Sequence, residues 1–346
     1  MANSFKVLFP DRIVNRHVGG NTTYAREVRD GLIARGVETG TIPSGRNPLG
    51  TIVKESAAMT RRLEETVLHF SADTGPLLGG RAASVVTIHG VASRWTNVAR
   101  NPTQEAIWRF RVRRAARATD AIITVSQSAA NDISAVFEID PARVRVIPHG
   151  IDHDHFSAPA EVSSVLASAL PDQFALYVGN IEPRKNLRQL VRAFESPAVK
   201  SLGLPLIVAG RKAWNYEDSM MEIEAAENTS YLGFVSDEDR VALMQRATLF
   251  VFPSLYEGFG FPVLEAMAAG APVLTSHAGS LQEVAGPSRI IDDLTAVGIA
   301  DGVLSAVADN AWMSTVVDEG RTWASKFRWS ASVAEHMKVY EGVLAK

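Results

Sequence analysis

The chain has 346 residues, a formal net charge of -3, 46% hydrophobic and 21% charged residues. That length is large for one core and natural for two α/β domains, and the near-neutral charge excludes a global basic field for nucleic acid. Cysteine is absent, which excludes disulfides, thiolate zinc sites and thiol nucleophiles.

The first strand, Phe5–Phe9, starts almost at once with no signal-peptide pattern ahead of it. A loop with His17, Val18, Gly19, Gly20, Asn21 and Thr22 opens a helix carrying Tyr24. Glycines between a strand and a helix let backbone N–H groups approach a phosphate. The G-x-G-x-x-G spacing of a dinucleotide fold is missing, however, and an ordinary βα loop reads the same way. Strands are predicted at Glu38–Ile42, Thr66–Phe70, Ser84–His89, Ala121–Val125 and Arg143–Ile147, with helices at Thr22–Arg35, Thr103–Thr119 and Ser128–Phe137. This βαβ rhythm predicts a doubly wound parallel sheet. His89 ends its strand, where open α/β sheets bind ligands, and Gly90 follows it. Arg109, Arg111, Arg113, Arg114 and Arg117 share one helix. They read either as a solvated face or as a surface for an anionic membrane or acceptor. No apolar run reaches bilayer-spanning length, so a cytoplasmic protein is expected, with peripheral contact at the inner membrane face as the alternative to a fully soluble one; whether that helix makes such contact stays open.

From Pro148 to Pro171 the rhythm breaks, and the segment reads as an interdomain connection. It includes His149, His153, Asp154 and His155, and a D-x-D spacing. Neighbouring residues point in different directions, so no metal shell is expected there. A second set of strands follows at Ala175–Val178, Leu206–Ala209, Tyr231–Leu232, Leu249–Phe252 and Val273–Thr275. Helices fall near Asn186–Glu195, Tyr216–Glu227, Asp237–Arg246 and Pro262–Ala269, and an amphipathic helix, Trp329–Leu344, ends the chain. Arg184 and Lys185 precede the helix at Asn186, an arrangement suited to a diphosphate. The run V-F-P-S-L-Y-E-G-F-G-F-P-V-L-E-A-M-A-A-G-A-P-V, Val251 to Val273, places Glu257 and Glu265 on a strand–loop–helix corner with Gly258, Phe259 and Gly260. Small glycines and a helix N-terminus favour an anion. Flanking carboxylates suit hydroxyls beside phosphates, as in a nucleotide sugar. Taken singly, Glu265 also reads as a helix-terminus carboxylate, and Glu257 as a solvated loop residue.

The pattern E-G-F-G-x-P-x-x-E-A-M-A-x-G-x-P-V closely resembles the donor site of the family 4 retaining glycosyltransferases, and the likeness runs over nearly the whole chain. It implies the GT-B architecture: two Rossmann-like domains facing a cleft, here 1–150 on the acceptor side and 171–328 on the donor side, with the helix of 329–346 crossing back to the first domain. The implied reaction is metal-independent, retaining transfer of a sugar from a nucleoside-diphosphate donor, GDP-mannose or a UDP-sugar, to a hydroxyl of a glycan, lipid-linked or small-molecule acceptor. No cofactor is implied. The same resemblance assigns catalytic roles to His89, Glu257 and Lys185. Glu257 would contact the donor sugar, Glu265 the ribose, and Lys185 with Arg184 the diphosphate. Gly19 and Gly20 would face the diphosphate, Gly210 and Phe234 would line the nucleobase pocket, and Gly258, Phe259 and Gly260 would complete the donor loop. Two departures stand out. Gly90 occupies a position where Asp is frequent, and Asn180 one where Arg is frequent. A sugar-nucleotide epimerase and a non-catalytic nucleotide-sugar-binding protein are the alternatives.

Overall fold

The structure, a computed structural model, describes residues 5–16, 19–94, 102–168 and 170–346. His17 and Val18 of the predicted glycine loop lie outside the described residues. The chain divides into two compact units, 1–150 with 328–346, and 151–327.

Unit 1 is built on a parallel sheet of β1 (Lys6–Pro10), β2 (Glu38–Ile42), β3 (Thr66–Phe70), β4 (Ala83–Thr87), β5 (Ala121–Thr124) and β6 (Val144–Val146), in the order β2-β1-β3-β4-β5-β6. Its central strands are buried along nearly their whole length, as a sheet covered on both faces requires. β3, for example, is buried at all five positions. The order reverses between β1 and β3, the kind of place where open α/β sheets bind ligands.

The C-terminal helix, Trp329–Leu344, packs against the helix Gly20–Ile33 and brings Val333, Tyr340 and Val343 into the core of unit 1. It also closes a buried chain of polar side chains. Tyr24 Oη lies 2.7 Å from His336 Nε2 and 2.7 Å from Thr87 Oγ1. His69 Nε2 lies 2.7 Å from Thr87 Oγ1, and His69 Nδ1 lies 2.8 Å from the Tyr340 hydroxyl. His336 Nδ1 must donate to the Ser332 carbonyl, 2.7 Å away, so its Nε2 accepts from Tyr24. Tyr24 then accepts from Thr87, Thr87 from His69, and His69 from Tyr340. In this arrangement every proton has a place with both rings neutral.

Unit 2 repeats the plan. β7 (Ala175–Val178), β8 (Leu206–Ala209), β9 (Thr229–Gly233), β10 (Leu249–Phe252), β11 (Val273–Ser276) and β12 (Arg289–Ile291) form a parallel sheet in the order β12-β11-β10-β7-β8-β9. Its reversal falls between β10 and β7. The segment after Gly150, read from sequence as a connection, is docked on unit 2. Gln245 Nε2 donates to the carbonyls of Phe156 (2.9 Å) and Ala158 (2.7 Å), and Gln245 Oε1 accepts from Ala160 N at 3.0 Å.

Burial holds the His69 and His149 rings well below the ordinary histidine value and His336 down at about 4. The unfolded chain binds protons near pH 6.5 that the folded one refuses. Stability is therefore full above that pH and falls as pH drops toward 4. His336 alone should remove about 2 kcal/mol between pH 7 and pH 5. Denaturant unfolding at the two pH values checks this, and His336→Gln should flatten the dependence by its share. A profile already flat in the wild type would mean the rings are charged in the folded protein.

Candidate functional site

The crevice between β7 and β10 holds the residues singled out by the sequence. β7 leads into Gly179–Arg184, and β10 leads into Pro253–Gly260. Leu255 N donates to the Arg184 carbonyl at 2.8 Å and ties the two segments together. Glu257 is 6% exposed and meets both cations of the other loop. Lys185 Nζ lies 2.6 Å from its Oε1, and Arg184 Nη1 lies 2.8 Å from its Oε2. Arg184 also donates to the Tyr256 carbonyl (2.5 Å) and to Glu182 Oε1 (2.5 Å). Burial pushes the Glu257 carboxyl up, but the charges of Arg184 and Lys185 outweigh it and hold it at about 2. For Lys185 burial is the stronger influence, and its ammonium is pushed below the usual lysine value.

Glycine fixes the backbone of the Glu257 loop. Gly279 has φ 65°, and a Cβ there would stand 2.4 Å from the Glu257 carbonyl. That carbonyl accepts from Ser280 N and Ser280 Oγ, each at 3.0 Å. Gly260, at φ 102°, begins the helix Phe261–Ala269, with no side chain bonded across the helix end. Phe259 turns its ring into the core, against Phe261 and Phe327.

Glu265 sits on the same helix and is largely covered, with 12% of its side chain exposed. Its Oε2 accepts from Arg240 Nη1 at 2.6 Å. Burial keeps its carboxyl above the ordinary value in spite of that cation. Arg240 in turn donates to Asp237 Oδ1 at 2.5 Å, and its guanidinium lies 4.9 Å from the Phe156 ring centre. His155 Nε2 stands 2.9 Å from Asp237 Oδ2. The histidine-rich segment thus supports Glu265. Asp152 caps its short helix by accepting from His155 N at 3.0 Å.

The other predicted donor residues lie at the ends of β8 and β9. Gly210 has φ 149°, and a Cβ there would lie 1.8 Å from the Gly179 carbonyl, so close strand packing demands the glycine. Its N–H donates to Gly233 O at 2.7 Å and its carbonyl accepts from Tyr231 Oη at 2.9 Å. Phe234 is 64% exposed with the Arg211 guanidinium 3.9 Å from its ring centre, a flat surface suited to stacking.

In unit 1, His89 Nε2 donates to the Ser71 carbonyl at 3.0 Å, which leaves Nδ1 as the accepting nitrogen. Its backbone N–H donates to Asp73 Oδ1 at 2.8 Å, and the Tyr24 ring meets it edge-on at 4.9 Å. Gly19, at φ 114°, precedes the helix that begins at Gly20, and its carbonyl accepts from Thr22 N at 2.9 Å. The arginine-rich helix spans Pro102–Ala118. Arg109 pairs with Glu105 at 2.6 Å, Arg114 donates to Leu77 O at 2.9 Å, and Arg113 reaches Val136 O at 3.4 Å.

Glu182, Arg240 and Gly279 were not legible as site residues. Glu182 precedes Pro183, Arg184 and Lys185 in the chain, and its proximity to two cations was the one available signal. Arg240 and Gly279 lie in other loops and become neighbours only through the fold.

Two family profiles match the chain, "Glycosyl transferases group 1" over residues 161–321 and "Glycosyltransferase Family 4" over residues 57–155. The chain is 34% identical over 228 residues to the O-antigen chain mannosyltransferase B of Escherichia coli, covering 64% of this chain and 60% of that one. It is 30% identical over 315 residues to the MMP alpha-(1->4)-mannosyltransferase of Mycolicibacterium hassiacum, covering 86% and 69%. Matches to the serotype-specific mannosyltransferase of E. coli span only 27% of that longer protein. Among solved structures, sucrose-phosphate synthase from Thermosynechococcus elongatus superimposes with a TM-score of 0.78 at 20% identity over 98% of this chain and 99% of its own. Anabaena HepE, solved with UDP and glucose, gives 0.74 at 15% over 98% and 100%. At these identities the structural likeness shows the fold.

Replacing Glu257 by Gln leaves Lys185 buried with a neutral partner. Breaking such a buried pair costs roughly 3 kcal/mol. Denaturant unfolding of Glu257→Gln should show that loss, and a loss under about 1 kcal/mol would mean that the pair is hydrated in solution.

Proposed function

We propose a reaction for a chain that belongs to the group 1, family 4 glycosyltransferases: transfer of a sugar from a nucleoside-diphosphate donor to a hydroxyl acceptor with retention of anomeric configuration and without a metal. Two relatives are mannosyltransferases, so GDP-mannose is the donor to test first. The observation that carries the reading is the buried pairing of Glu257 with Lys185 and Arg184 at the β7/β10 crevice.

Each group has a task its surroundings suit. In the reaction the bond from the anomeric carbon to the diphosphate oxygen breaks, and one to the acceptor oxygen forms on the same face. The acceptor proton passes to the departing phosphate. Lys185 Nζ supplies charge to that phosphate, aided by the N-terminus of the helix Phe261–Ala269. Arg184 is occupied by Glu182, Tyr256 and Glu257, so it positions Glu257 more than it binds phosphate. Glu257 is held ionised and accepts from the sugar hydroxyls. Glu265, oriented by Arg240, accepts from the ribose diol. Phe234 offers a stacking face to the base, and His89 Nδ1 is an acceptor for a substrate hydroxyl.

Release of GDP from GDP-mannose, with an α-configured product by NMR and undiminished rate in excess chelator, is the expected outcome. Binding with no turnover in the presence of a panel of glycan and sugar acceptors would favour a sugar-nucleotide-binding protein. Lys185→Ala should weaken GDP at least tenfold, as loss of a charge-assisted phosphate contact costs about 1.5–3 kcal/mol. Glu265→Gln should weaken GDP and GDP-mannose by a similar factor. A variant that weakens only the nucleotide sugar would move Glu265 to the sugar ring.

A further inference from the structure

The first sheet has its own reversal point, between β1 and β3, and a basic cluster occupies it. Arg12 follows β1, and Thr74 follows β3. Arg111 comes from the arginine-rich helix and Glu55 from the helix Pro48–Met59. Arg12 Nε lies 2.9 Å from Glu55 Oε1, and Arg12 Nη2 approaches Thr74 O at 3.3 Å and Thr74 Oγ1 at 3.4 Å. Arg111 Nη2 reaches the same hydroxyl at 3.4 Å.

Three features of this cluster are not those of a finished structural ion pair. Two guanidiniums face one carboxylate, so the group carries an uncompensated positive charge. Glu55 is sealed, with 1% of its side chain exposed, whereas Arg12 keeps 28%. What the solvent meets is therefore the cation. The hydrogen bonds are also incomplete. Both arginines reach one hydroxyl oxygen at distances beyond the usual 3.2 Å limit, and Arg111 Nε, like Glu55 Oε2, is buried without a hydrogen-bond partner. Burial, followed by repulsion from Arg12, lowers the affinity of Arg111 for its proton. A bound anion would relieve both.

We propose that Arg12 and Arg111 form a phosphate-binding site in unit 1, with Thr74 holding the place of a ligand oxygen, and that it receives a phosphate group carried by the acceptor. A tetrahedral oxyanion can take paired N–H donors from two guanidinium forks at once. The site lies at the crevice where open α/β sheets bind ligands. The loop that supplies Thr74 also supplies Asp73, whose carboxylate accepts from His89 N at 2.8 Å. The assignment to an acceptor rests on the transferase reading above. The phosphate could belong to a soluble sugar phosphate or to a lipid headgroup.

Inorganic phosphate is titrated into the full chain saturated with GDP, which fills the donor site, and binding is read by NMR of the arginine Nε–H signals. Saturable binding should shift Arg111 and Arg12, and Arg111→Gln should weaken it at least tenfold with GDP affinity unchanged. Arg111→Gln is preferred to a change at Arg12, which would leave Glu55 buried alone. Arg111→Lys should recover only part of the affinity. Two further arms separate the sources. Tighter binding of a hexose 6-phosphate than of phosphate, lost in Arg111→Gln, assigns a soluble acceptor. Arg111-dependent co-sedimentation with vesicles of phosphatidylglycerol and phosphatidylcholine assigns a lipid. Phosphate binding that is absent, or indifferent to Arg111→Gln, overturns the site. If GDP itself fails to bind, the donor reading falls, and phosphate is titrated into Lys185→Ala instead, so the two failures remain distinct.

Discussion

A carboxylate sealed in the interior with two cations is the constraint around which the ligand face of unit 2 is arranged. Glu257 is almost wholly removed from water. Alone it would be protonated or would unfold its surroundings. Lys185 and Arg184 keep it charged, and it keeps them ordered in return. The remaining contacts follow from that need. Glu182 and Tyr256 O orient the Arg184 guanidinium, Ser280 fixes the Glu257 carbonyl, and Gly279 makes room for it. The loops after β7 and β10 cannot separate without exposing one charge or stranding another.

On the proposed reaction, such an arrangement is prepared for exchange of partners. A diphosphate can take the lysine's charge, and sugar hydroxyls can take the carboxylate's acceptor sites. Neither group need then be left unpaired. The cost of organising the polar groups is met in folding, before any ligand arrives, which is the condition for strong electrostatic stabilisation. The same logic holds at Glu265. It is largely covered and would be costly without Arg240, and Arg240 is placed by Asp237 and Phe156.

Periodicity made much of this legible. Six strands of unit 1 and five of unit 2 were readable as short β-branched runs, and the helices Asp237–Arg246 and Trp329–Leu344 matched their expected limits. β12 was missed. It has three residues, one of them Arg289, and borrows its order from pairing with β11. The helices Pro48–Met59, Ala296–Ala308 and Asn310–Ala324 were also missed. At the site, local sequence carried Lys185, Glu257 and Glu265 because each sits within a compact strand–loop–helix pattern. It did not carry their pairing, which depends on β7 and β10 becoming neighbours across 72 positions of sequence. The sequence did not tell which way the Phe259 ring turns, because a large ring between two glycines can turn inward as easily as outward, and it packs on Phe261 and Phe327.

The central claim is that Glu257 serves the sugar while Lys185 serves the phosphates. Calorimetric titration of Glu257→Gln with GDP and with GDP-mannose tests it most directly. The account predicts that GDP binds the variant at least as tightly as the wild type, since Lys185 is released from its carboxylate. The extra affinity contributed by the mannose should be lost. A variant that loses GDP affinity tenfold or more, yet still distinguishes GDP-mannose from GDP as the wild type does, would contradict it.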